Sequence, residues 1–162
     1  MSESGLVIDR ASRDRLALLV RRLASAGLTT YEFLAEAWRL TDSPDPAILS
    51  IVDAADVFFC DLHGPRLTGR KALNRAERRS VARIVVFLRS SIPYAWPPNP
   101  DGVLLGLFLW LFTFGRLGSR RGGWGEWEQA GEVDAWPFLR IADCRRATGC
   151  NPFASAVGAR AV

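Results

Sequence analysis

Lysine and histidine are almost missing from this chain. Lys71 stands alone beside 20 arginines, and His63 is the single histidine. One histidine excludes a histidine-rich metal site. We read the arginine bias as genome composition, not as selection for bidentate contacts. Cysteine is scarce as well. Cys60, Cys144 and Cys150 are too few, and odd in number, for a disulfide framework. The N-terminal residues MSESGLVIDRASRDR are charged early and contain no apolar run of signal-peptide length. A reducing, cytoplasmic location is the expectation. No repeat, low-complexity tract or strand-like alternation is present. Neither GxxxxGK[ST] nor a GxGxxG after a strand occurs, so no phosphate cradle is expected. No catalytic or cofactor motif rises above background, and no cofactor is expected.

What the chain does have is one long uncharged stretch, Gly102 to Phe114, whose only polar side chain is Thr113. A helix there is apolar all round and must be buried in protein or in lipid. Thirteen residues rise about 20 Å against roughly 30 Å of hydrocarbon, which favours a core helix over a membrane element. The whole 162-residue chain, 49% hydrophobic with six Trp and nine Phe, is long enough for one domain with a real core.

Charge is segregated. Residues 32–61 carry seven acids against Arg39, net −6; residues 66–89 carry eight bases against Glu77, net +7. The plain expectation is that the two segments pair inside one fold. The sharper one is an anion-binding face.

Local signals predict helices throughout. Asp9 or Ser12 caps a first helix to about Ala26, with Leu16, Leu19, Val20 and Leu23 on one stripe and Gly27 as its stop. Thr29 and Glu32 form a capping box for a second, with Phe33, Leu34, Ala37 and Trp38 buried. Asp45 and Pro46 start a third, running to about Leu62, with Ile48, Val52, Ala55, Phe59 and Leu62 sharing a face. Asn74 and Glu77 start a fourth, through Arg89 or Ser90, which dips from surface to core along its length. Residues 92–101 hold four prolines and form an extended connector with Tyr94 and Trp96 packed. A last helix spans about Pro137 to Ala147, stopped by Gly149. The fold class is all-α: a compact bundle of about six helices around 102–114, with residues 1–150 as one domain and 151–162 as a weakly ordered tail.

Three constellations bear on function. Asp53, Asp56, Cys60 and His63 line one face of the third helix. Cys60 and His63 can supply zinc ligands together with Cys144 and Cys150, or a nucleophile and base. An ordinary solvated helix face is the expected outcome. A helix-turn-helix across the first two helices fails on charge, because Glu32 and Glu36 would face phosphate. Arg70, Lys71, Arg75, Arg78, Arg79 and Arg83 form the candidate surface for nucleic acid or an acidic partner. Trp96, Arg120, Arg121, Trp124 and Trp127 are candidate protein-interface residues. The reading is a non-enzymatic interaction module, an adaptor or assembly subunit with a protein partner. The alternatives are a nucleic-acid-binding accessory protein using residues 66–89, and a membrane-associated protein inserting residues 102–114.

Overall fold

The computed structural model describes residues 7–59, 66–69, 72–97 and 129–149. Among these residues the chain is all-α: α1 (Arg10–Ala24), α2 (Thr30–Trp38), α3 (Pro46–Phe59), α4 (Arg75–Arg89) and α5 (Ile141–Thr148), with a 3-10 turn at Val133–Ala135 before α5. An antiparallel bridge joins Thr29 to Arg66. The expected central helix 102–114 and the tail 151–162 lie outside the described residues.

The starts of α1 to α4 are each built by a short polar side chain that satisfies orphan backbone donors. Asp9 accepts from the Ser12 N–H at 3.1 Å and caps α1. Thr29 and Glu32 close a capping box on α2, and Asn74 and Glu77 close another on α4. Asp45 accepts from the Ala47 N–H at 3.0 Å with Pro46 at the first helical position. Gly149, left-handed at φ 62°, stops α5, as a residue without Cβ does at little cost. The end of α1 differs from expectation by one residue. Ala26, not Gly27, takes the left-handed position, at φ 58°. Gly27 N–H bonds the Arg22 carbonyl and Ala26 N–H that of Leu23, which is a Schellman closure with glycine one place later than expected. Helix α5 starts at Ile141 rather than near Pro137. The intervening residues turn so that Trp136 and Phe138 enter the core.

α1 packs most extensively on α4, α2 on α1 and α3, and α4 on α5. The core runs through Leu16, Leu19, Phe33, Ile48, Ile51, Phe87, Leu88 and Phe138. The dip of α4 is real: Arg75, Arg78 and Arg79 are exposed, Ile84 to Val86 half-buried, Phe87 and Leu88 buried. Phe87 is met edge-on by Phe138 at 5.1 Å and by Tyr94 at 6.1 Å. Two indole N–H groups finish this end of the molecule. Trp96 donates to the Phe138 carbonyl and Trp136 to the Tyr94 hydroxyl, both at 3.2 Å. Burial pushes the Tyr94 phenol up.

One polar network crosses the core. Arg13, fully buried, donates from Nε to Asp45 Oδ2 at 2.5 Å and from Nη2 to Oδ1 at 3.1 Å. Its Nη1 reaches the Ile92 carbonyl at 2.7 Å, and its guanidinium lies 4.9 Å over the Phe87 ring. Arg10 donates to the Leu88 and Ser90 carbonyls at the C-terminal end of α4. The start of α1 therefore supplies cations to the negative end of α4.

Asp9 ties into the same junction. Hydrogen bonds from the Ser12 hydroxyl, the Ser12 N–H and the Ser43 hydroxyl hold its carboxyl down at about 2, against an ordinary 3.8. A carboxyl lowered on folding contributes stability above its ordinary value and loses that contribution as pH falls through the lowered one. Melting temperature should therefore drop between about pH 4 and pH 2, and Asp9→Asn should flatten part of that drop. A drop of unchanged size in Asp9→Asn, followed by circular dichroism, would remove Asp9 from the acid transition.

Candidate functional site

The exposed arginines are placed by the way α4 enters the fold. Its C-terminal half is anchored by Phe87 and Leu88, so its N-terminal turns stand at the surface. Arg75, Arg78 and Arg79 all lie there exposed. Glu77, the only acid of the helix, is committed to the Asn74 N–H at 2.6 Å. Arg89 is exposed at the far end. Arg83 departs from the surface row. It is half-buried beside α5, and its Nε finds no hydrogen-bond partner there. Burial pushes its pKa down, against the opposing influence of Cys144 and Asp134. Arg70 and Lys71 lie outside the described residues.

The ion pairs seen among the described residues link Glu36 to Arg15 and Arg39, Asp45 to Arg13, Arg10 to Asp14 and Arg146 to Asp143. None of them joins residues 32–61 to residues 66–89. The nearest approach is electrostatic. Arg66 adds to the effect of the Thr29 capping bonds, which chiefly hold the Glu32 carboxyl down. The expected pairing of the two segments is absent from these ion pairs: Glu36 and Asp45 are spent on α1 or on their own helix, and Asp53 and Asp56 lie half-buried on α3. Helix α2 presents Glu32 and Glu36 as expected, both engaged as cap or ion pair.

Trp96 is packed as the connector reading expected and drops out as an interface candidate, while Trp38 turns outward. Trp96 is buried at 5% exposure with its N–H satisfied, so it serves the core and offers no interface. Trp38, expected inside, is 42% exposed. It shares an outer face of α2 with Ala35 and with Tyr31, which is 75% exposed. The spacing 31, 35, 38 carried that signal, because it defines a stripe opposite Phe33 and Ala37. The exposed arginines of the last helix region, Arg140, Arg145 and Arg146, were also overlooked in the sequence. Arg120, Arg121, Trp124 and Trp127 lie outside the described residues.

The possible metal or nucleophile cluster is only partly placed. Asp53 and Asp56 are half-buried on α3. Burial, and then the Asp56 charge, push the Asp53 carboxyl up. Cys60, His63 and Cys150 fall outside the described residues. Cys144 is a buried free thiol, pushed up by burial, which is the opposite of what a nucleophilic thiolate needs. Among the described residues no group of three or more His, Cys, Asp or Glu is arranged to hold a metal. Also among them, no helix is long and apolar enough to cross a membrane.

Comparison with protein-family models, with curated proteins and with solved structures finds no match to this chain.

Proposed function

We propose that this chain is a non-enzymatic interaction module, which binds an acidic surface of a partner protein through the outer face of α4. One observation carries the reading: Arg75, Arg78 and Arg79 stand exposed together while the helix's only acid is spent on its cap. Guanidinium groups on a rigid helix lose little on meeting carboxylates, and they match carboxylate geometry bidentately. The exposed stripe of Tyr31 and Trp38 on α2 offers a second, aromatic contact of the kind enriched at protein interfaces.

Capture from a low-salt cell lysate, with and without nuclease, tests this. A specific protein should remain on the wild-type chain after nuclease and fall at least about tenfold when Arg75, Arg78 and Arg79 become Glu, a change of roughly 1.4 kcal/mol or more. Retention that the triple reversal leaves unchanged would sink the reading. If nuclease strips everything, and duplex DNA or RNA binds with a steep dependence on salt, the same face contacts phosphates instead.

A further inference from the structure

Two exposed helix faces of this chain are complementary to each other. On α4, Arg75, Arg78, Ala82 and Val86 follow at spacings of three, four and four, so they share one face. Arg75, Arg78 and Ala82 are exposed and Val86 is half-buried. This face is basic in its first half and apolar in its second. On α3, Pro46, Leu49, Asp53 and Asp56 follow at spacings of three, four and three. Pro46 and Leu49 are exposed, Leu49 at 46%, and the two acids are half-buried. This face is apolar first and acidic second.

On both helices the charged and apolar halves are separated by about two turns, roughly 10 Å. Laid antiparallel, the two faces bring Asp53 and Asp56 to Arg75 and Arg78, and Leu49 and Pro46 to Ala82 and Val86. Laid parallel, they set acids on valine and arginines on leucine. Within one chain the faces do not meet: neither Arg75 nor Arg78, nor either aspartate, forms an ion pair with a described residue. Two neighbouring aspartates, one of them pushed up by burial and by the other, have no ion-pair partner among the described residues.

We propose that the acidic and apolar face of α3 is the docking site for the basic and apolar face of α4 from a second copy of this chain. The proposal rests on the reading of α4 as the binding face and names the partner of that face. Every copy carries both faces, so the contact closes reciprocally as a dimer or continues head to tail. Two four-residue helix faces make a small interface, which fits weak association weakened further by salt.

Sedimentation velocity of the full chain over a concentration series, at low and at high salt, tests this. At low salt the mass should rise above the monomer with concentration, and high salt should return it to the monomer. Arg75→Glu with Arg78→Glu, and separately Asp53→Lys with Asp56→Lys, should each weaken self-association at least about tenfold, because each sets like charges opposite one another. An equimolar mixture of the two variants should associate again, since one keeps the acidic face and the other the basic one. Leu49→Glu, at an exposed position, should weaken association to a similar degree and keeps the test decisive if the aspartate reversals disturb folding. A wild-type chain monomeric at all concentrations in low salt, association indifferent to the reversals, or a mixture that stays monomeric would each overturn the proposal. If a different protein is still retained through Arg75, Arg78 and Arg79 after nuclease, the reading of α4 survives and only the second copy is lost as its partner.

Discussion

Arg13→Met is expected to destabilise the fold by about 3–5 kcal/mol, the cost of breaking a buried ion pair by removing one partner. Arg13 and Asp45 are both fully out of water. The carboxylate would keep the Asp9 and Ala47 N–H groups but lose its counter-charge, and the Ile92 carbonyl would lose its donor. Asp45→Asn should cost a similar amount, because it strands the guanidinium in the core. The double variant Arg13→Met with Asp45→Asn should cost clearly less than the sum of the two, since neither charge is then left alone. Arg15→Met makes the control. It breaks the exposed Arg15–Glu36 pair at 3.3 Å, worth about 0.5 kcal/mol or less. Urea unfolding with an unchanged m-value measures all four. A loss below about 1 kcal/mol for Arg13→Met would show that the pair does not tie α1 to the start of α3.

Phe87→Ala is expected to cost about 3–5 kcal/mol as well, for a different reason: it opens a cavity where three elements meet. The ring has no solvent exposure and receives Phe138, Tyr94 and the Arg13 guanidinium on its edges and face. Each aromatic pair adds about 0.5–1.5 kcal/mol beyond area burial. Phe87→Leu keeps most of the volume and should cost about 1.5 kcal/mol. Val86→Ala, one residue earlier on the half-buried side, should cost about 1 kcal/mol. Near-ultraviolet circular dichroism should report the loss of fixed packing around Tyr94 and Trp96 in Phe87→Ala. Equal costs for Phe87→Ala and Val86→Ala would mean that Phe87 is not the meeting point. Against a total stability of about 5–15 kcal/mol, either large loss is a substantial fraction of what holds the fold.

Some of this architecture is local and was legible as such. A capping box needs only residues three apart, so Thr29–Glu32 and Asn74–Glu77 set the starts of α2 and α4 before any tertiary contact exists. Asp9, Asp45 with Pro46, and Gly149 act over the same short range. The stripe of Leu16, Leu19, Val20 and Leu23 on α1 is buried as its spacing required. The gradient along α4, charged then apolar, placed Arg75, Arg78 and Arg79 at the surface, where the candidate site begins.

The chain sequence therefore determined by itself that this protein is helical, where most of its helices start, and which helix carries the exposed basic face. Those properties depend on backbone donors and side-chain periodicity within a few residues. Tertiary structure alone decided the rest. Arg13 and Asp45 are 32 residues apart, and their union in the core rests on how α1 meets α3. Trp96 lies inward with its N–H on the Phe138 carbonyl, because a segment 42 residues further along the chain packs over it. Arg83 turns from the surface row to α5 for the same reason. Spacing along one helix names a face, but whether that face meets protein or water depends on elements far away in the chain.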